Sequence, residues 1–139
     1  MEEMILMLVD DEERYLETTR KLLAKKGHKA VTASSGLDAL NKLEESGAHV
    51  VILDVKMPQM DGHETFREIK KRFPLVEVIM LTGHATVESA IEGLREGAFD
   101  YLMKPTDVDV LIDKAQEAFE KYKKHQAKIM LAMNQSTTT

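Results

Sequence analysis

The sequence predicts an α/β chain. Five short β-rich apolar runs alternate with five segments of helical period, and Gly or Pro punctuates the joints. Such alternation implies a doubly wound parallel sheet of five strands, with five helices on both faces because right-handed crossovers place them there.

The strand runs are Met4 to Val9, Lys29 to Ala33, His49 to Leu53, Glu77 to Leu81 and Phe99 to Met103. Their brevity and near-continuous apolarity predict strands buried on both faces. Leu16, Leu22 and Leu23 mark the first helix, ended by Gly27. Leu37, Leu40 and Leu43 mark the second, ended by Gly47. Phe66, Ile69 and Phe73 mark the third, stopped by Pro74. Val87, Ala90, Ile91 and Leu94 mark the fourth, ended by Gly97. Val108, Leu111, Ile112, Ala115 and Phe119 mark the fifth. The last pattern does not stop there: Val108, Ala115, Tyr122 and Ile129 recur every seven residues, and neither Gly nor Pro interrupts Asp107 to Gln135. The expected organisation is one domain over residues 1–124. Residues 125–139 extend the last helix to about Met133 and end in a flexible tail.

Composition narrows the function classes. A chain of 139 residues buries a single core. It has no cysteine, which excludes disulfides and thiolate zinc sites, and its histidines show no helical ligand spacing. A net charge of −5 argues against a general nucleic-acid surface. No apolar run approaches the roughly 20 residues of a membrane span, and Glu2 and Glu3 replace a basic leader. A cytoplasmic protein is expected. No helix-turn-helix or ATPase loop is visible, so no direct nucleic-acid binding is expected of these residues.

Ligands in such folds sit beyond the carboxyl ends of the strands, so the residues ending the strands carry the information. Asp10, Asp11, Glu12 and Glu13 follow the first strand, Asp54 the third, Thr82 the fourth, and Lys104 with Pro105 the fifth. Each has a local explanation. Asp10 with Glu13 would make a capping box, Asp54 could cap a loop, Thr82 could satisfy nearby backbone, and Lys104 could be solvated. Together they say more. In the flavodoxin-like strand order 2-1-3-4-5, these ends surround one crevice holding Asp10, Asp11 and Asp54, with Thr82 and Lys104 on its rim. Three adjacent carboxylates raise one another's pKa, a conflict that a hard divalent cation such as magnesium removes. One carboxylate oxygen is then available as a nucleophile towards a phosphoryl group, with Lys104 and the Thr82 hydroxyl contacting its other oxygens.

Leu8-Val9-Asp10-Asp11-Glu12, Asp54-Val55-Lys56-Met57-Pro58-Gln59-Met60-Asp61-Gly62, Leu81-Thr82-Gly83 and Tyr101-Leu102-Met103-Lys104-Pro105 resemble, in order, the signature of bacterial response-regulator receiver domains. The resemblance runs from about Met4 to about Tyr122. Leu81 to Pro105 resembles most the receivers that precede ATPase-type transcription activators. It implies a phospho-acceptor switch in a two-component system, not an enzyme beyond self-catalysed phosphorylation and dephosphorylation. Asp54 corresponds to the acceptor. Asp11, Asp54 and the Lys56 backbone carbonyl correspond to direct ligands of Mg2+, with Mn2+ as an alternative, and Asp10 to a ligand acting through water. Thr82 and Lys104 correspond to phosphoryl contacts, and Thr82 and Tyr101 to the switch pair. Lys56 and His84 correspond to positions that set phosphoryl lifetime, and Lys104-Pro105 to a cis peptide. A sensor histidine kinase or phosphotransfer protein is the implied partner, and the long last helix adds the expectation of a homodimer or of a downstream output segment that covers its exposed end.

Two rival readings weigh less. An aspartate-nucleophile phosphatase needs a second acid two residues after the nucleophile, where this chain has Lys56. A flavodoxin-type flavin site would cradle a phosphate dianion in the first loop, where Asp10 to Glu13 would repel it.

Overall fold

The computed structural model describes residues 3–57, 60–83 and 86–137. Along the chain run β1 (Ile5–Val9), α1 (Glu13–Lys25), β2 (Lys29–Ala33), α2 (Gly36–Ser46), β3 (Val50–Leu53), α3 (Gly62–Arg72), β4 (Glu77–Thr82), α4 (Val87–Arg95), β5 (Asp100–Met103) and α5 (Val108–Thr137). Every strand lies within one residue of its expected bounds. The sheet is parallel throughout in the order β2-β1-β3-β4-β5, as the sequence predicts.

Strand alternation divides the core in two. Met7, Val9, Val51, Leu53, Val78 and Met80 face α2 and α3, where Leu40, Leu43, Phe66 and Ile69 cover them. Leu6, Leu8, Val50, Ile52, Ile79 and Leu81 face α1 and α5, against Leu16, Leu23, Leu111, Ala115 and Phe119. Each fully buried leucine or isoleucine here stabilises the fold by about 1.5–3 kcal/mol. Only the three central strands are buried on both faces. The edge strands β2 and β5 are mostly half-buried, because each has a neighbour on one side alone.

Gly27, Gly47 and Gly97 take positive φ and end α1, α2 and α4 where the sequence places their stops. Ser35, Asp61 and Thr86 cap α2, α3 and α4 by accepting backbone N–H bonds from Asp38, Glu64 and Ser89. The expected capping box of Asp10 with Glu13 does not form. Glu12 is the N-cap of α1 and makes no side-chain cap bond, and the Asp10 carboxylate accepts from the Glu12 N–H and from Lys104.

The fourth helix also departs from its expected packing. Val87, Ile91 and Leu94 form one stripe, but all three are exposed, and Gly93 is the buried residue of α4. The helix meets β5 through the backbone at Gly93 and the half-buried Ser89. Its apolar pattern marks a helix without marking which face is covered.

Candidate functional site

The strand order brings the carboxyl ends of β1, β3, β4 and β5 to one cleft of about 550 Å3, lined by Asp10, Asp11, Glu12, Asp54, Lys56, Met57, Gly83 and Lys104. Backbone bonds set its walls: Asp10 N–H donates to Ala33, Asp54 N–H to Val9, and Lys104 N–H to Thr82. The loop after β3 is held down by the start of α3. A Cβ on Gly62 would lie 2.4 Å from Val55 Cα and 2.5 Å from Asp54 O, so only glycine permits this approach.

Asp10, Asp11 and Asp54 present carboxylate oxygens within 4.8 Å of one another. Asp10 and Asp54 are buried and Asp11 is exposed. Asp10 Oδ1 accepts from the Glu12 N–H at 2.9 Å, and its Oδ2 accepts from Lys104 Nζ at 2.5 Å. Asp54 Oδ1 accepts from the Lys56 N–H at 3.3 Å. Lys104 also lies over the Tyr15 ring, 4.1 Å from its centroid.

Burial pushes the Asp54 carboxyl above the usual carboxylate range, and the charges of Asp10 and Asp11 push it the same way. Lys104 and the Lys56 N–H oppose this without cancelling it. For Lys104 the balance runs the other way. Burial disfavours its charge, but the bond and charge of Asp10, with Asp54 and Tyr15 behind them, raise its pKa. Lys104 is therefore a fixed cation beside an acid cluster that it only partly neutralises.

That remaining negative charge is what a hard cation would match. Two buried carboxylates, one exposed carboxylate and a nearby main-chain carbonyl are oxygen donors of the kind magnesium takes, and the donor set fits it.

The structure brings Asp10, Asp11, Asp54, Lys56 and Lys104 together as the sequence predicts. Thr82, expected on the rim, is instead buried, because the chain turns so that Gly83 forms the wall. Tyr101 lies outside the cleft, its hydroxyl 2.9 Å from Ser89 Oγ on α4. The Lys104-Pro105 peptide is cis. His84 lies outside the described residues. Sequence reasoning missed Tyr15, whose ring supports Lys104. No local pattern announces it, because its relevance depends on α1 and β5 meeting at one end of the sheet.

A family model for the response regulator receiver domain matches residues 6–131. The transcriptional regulatory protein ZraR of Klebsiella oxytoca is 38% identical over 110 residues, covering 79% of this chain and 25% of that protein. The DNA-binding transcriptional regulator NtrC of Escherichia coli is 32% identical over 138 residues, 99% of this chain and 29% of that protein. The chain thus spans less than a third of the length of these curated relatives. A response regulator receiver domain protein from Clostridium thermocellum superposes with a TM-score of 0.81 at 38% identity, covering 86% of this chain and 97% of that one. NtrX from Brucella abortus superposes with a TM-score of 0.83 at 31% identity over 94% of this chain and 30% of that one. The family model runs over residues 6–131 and so takes in every strand end that builds the cleft, and the chain belongs to the response regulator receiver domains.

Proposed function

We propose that Asp54 is the phospho-acceptor of this receiver, with Asp10, Asp11 and Lys104 as its electrostatic frame. The single observation that carries the assignment is the position of Asp54: it is buried at the end of β3 in a cleft shared with two further carboxylates and the Lys104 cation.

An Asp54 oxygen attacks the phosphorus of a phosphohistidine or small acyl phosphate. The donor's P–N or P–O bond breaks, the leaving group keeps the electron pair, and an aspartyl phosphate forms. Asp11, Asp54 and the Lys56 carbonyl would hold Mg2+ (or Mn2+), with Asp10 as an outer partner, and the bound ion would supply positive charge against the incoming phosphoryl oxygens. Lys104 contributes a second positive charge, and its Asp10 bond keeps it aimed at the cleft. The Thr82 hydroxyl turns towards a phosphoryl oxygen, and Tyr101 moves in response. Lys56, exposed beside the cleft, and His84 set how long the phosphoryl group persists.

The phosphoryl source is a sensor histidine kinase or phosphotransfer protein in the cytoplasm. Among the described residues no helix is long and apolar enough to cross a membrane. The readout passes to a partner, a second copy or a further segment of a longer regulator; ZraR and NtrC, of which this chain matches less than a third, are named as transcriptional regulators. The role is that of a switch, with self-catalysed phosphoryl gain and loss as its chemistry. A phosphatase reading has no support at Lys56, where a general acid would have to stand.

Acetyl phosphate with magnesium should add one phosphoryl group to the intact chain by mass spectrometry, and D54N or a chelator should abolish it. Equal labelling of D54N would overturn the assignment.

A further inference from the structure

His63 of α3, Ser89 of α4 and Tyr101 of β5 form a hydrogen-bonded chain: His63 Nε2 to Ser89 Oγ at 3.1 Å, and Ser89 Oγ to Tyr101 Oη at 2.9 Å. All three side chains are half-buried. The other ring nitrogen, His63 Nδ1, is buried with no hydrogen-bond partner among the described residues. An unpaired buried N–H costs more than an unpaired lone pair, which assigns the ring proton to Nε2. His63 Nε2–H then donates to Ser89 Oγ, and Ser89 Oγ shares a second hydrogen bond with Tyr101 Oη in which either hydroxyl can be the donor.

We propose that His63 and Ser89 are positioning residues for Tyr101, forming a latch that holds the unphosphorylated arrangement of β5 and α4. The proposal rests on Tyr101 being the responsive residue of the phospho-acceptor switch.

Three features favour the latch over an incidental contact. First, α4 buries Gly93 while its Val87, Ile91 and Leu94 stripe faces solvent, so little apolar packing fixes this helix. Hydrogen bonds to it therefore decide more than they would on a well-packed helix. Second, Gly93 closes the other side of the same cluster. A Cβ there would stand 3.3 Å from Tyr101 Cδ2 and 3.7 Å from His63 Cε1. The ring of Tyr101 thus lies against α4 backbone with its hydroxyl bonded one helical turn earlier. Third, a further described side-chain link from α3, Arg67 to Glu96 just past the end of α4 at 3.3 Å, is largely exposed, and such pairs contribute little. Movement of Tyr101 breaks its bond to Ser89, so whatever stabilises that bond opposes the switch.

The test uses the full chain with isotope-labelled tyrosine rings, Y101F assigning the signal, titrated with beryllofluoride and magnesium as a stable phosphoryl mimic. Before any titration, S89A and H63L should both shift the Tyr101 ring resonances in the same direction. On titration each should reach half-response at a beryllofluoride concentration about two- to tenfold below that of wild type, the range a single net hydrogen bond covers. The double variant should go no further than the larger single effect, and S89T, which keeps the hydroxyl, should return the wild-type midpoint. Unmoved Tyr101 signals in S89A and H63L, or effects of the two that simply add, would overturn the latch. A wild-type chain indifferent to beryllofluoride, with the cleft variants equally indifferent, would instead overturn the phospho-acceptor reading and with it the switch role of Tyr101.

Discussion

Lys104 Nζ lies 2.5 Å from Asp10 Oδ2, tying the end of β5 to the end of β1 across the mouth of the cleft. The Asp10 side chain is only 3% exposed, and this cation and the Glu12 N–H are its polar partners. K104M should leave the carboxylate under-compensated and lower stability in chelator by about 1–3 kcal/mol. Magnesium should narrow the gap by neutralising the same cluster; an ion at a hundred times its Kd stabilises a fold by about 2.7 kcal/mol. Urea midpoints with and without the ion measure both effects. Equal midpoints in chelator would mean that the pair contributes nothing to the fold.

The raised pKa of Asp54 gives a stability prediction with a definite sign. A carboxyl raised in the folded state favours folding while protonated. That contribution is complete below the unfolded value of about 4 and is lost as pH rises through the higher folded value. Above that range the ionised Asp54 opposes the fold. D54N, neutral at every pH, should therefore be more stable than wild type at pH 7 in chelator, and the advantage should shrink as pH falls towards 4. Thermal melts across that range, without magnesium, decide it. A variant less stable than wild type at pH 7 would contradict the assigned environment.

Much of this arrangement is legible in the sequence. Asp10, Asp11, Asp54 and Lys104 each close a recognisable strand, so one assumption, the strand order, was enough to bring them together. What stayed illegible depends on contacts between elements. The Asp10–Glu13 spacing suits a capping box, but Lys104 arrives from β5 and takes the carboxylate. Val87, Ile91 and Leu94 have the period of a buried stripe, yet Gly93 is what meets Tyr101. The ring beneath Lys104 and the partner of the Tyr101 hydroxyl come from helices whose facing residues no local pattern specifies.

Phosphoryl lifetime should answer to Lys56. Its side chain is exposed beside the cleft while its N–H holds Asp54 Oδ1. An ammonium is poorly suited to orienting an attacking water, whereas an amide can both donate to and accept from one. K56N should accept phosphate as wild type does and lose it several-fold faster, followed as decay of the labelled species after donor removal. H84E should act in the same direction. Identical decay in both variants and wild type would remove these positions from any control of lifetime.

Helix α5 runs without interruption to Thr137. Its first half is buried through Leu111, Ile112, Ala115, Ala118 and Phe119. Beyond Tyr122 the helix leaves the sheet, and Ile129, Met130, Leu131 and Met133 are exposed. One apolar groove survives there, where Ile129 and Tyr122 face Phe73, Pro74, Leu75 and Val76 at the approach to β4. A helical end with so few neighbours is marginal in water, because most helix stability comes from tertiary packing. Val108, Ala115 and Tyr122 of the seven-residue repeat pack against the chain's own core, which leaves Ile129 with Met130, Leu131 and Met133 as the apolar surface a second helix could cover. The extension is therefore expected to hold its helix through self-association. Cutting the chain after Lys124 should lower the far-ultraviolet helical signal by more than the average per residue and shift sedimentation towards monomer. Asp54 labelling by acetyl phosphate should stay at the wild-type level, since the cleft lies at the other end of the strands. I129K in the full chain should reproduce the shift towards monomer without shortening it. If full-length and truncated chains sediment alike as monomers, the extension does not pair with itself.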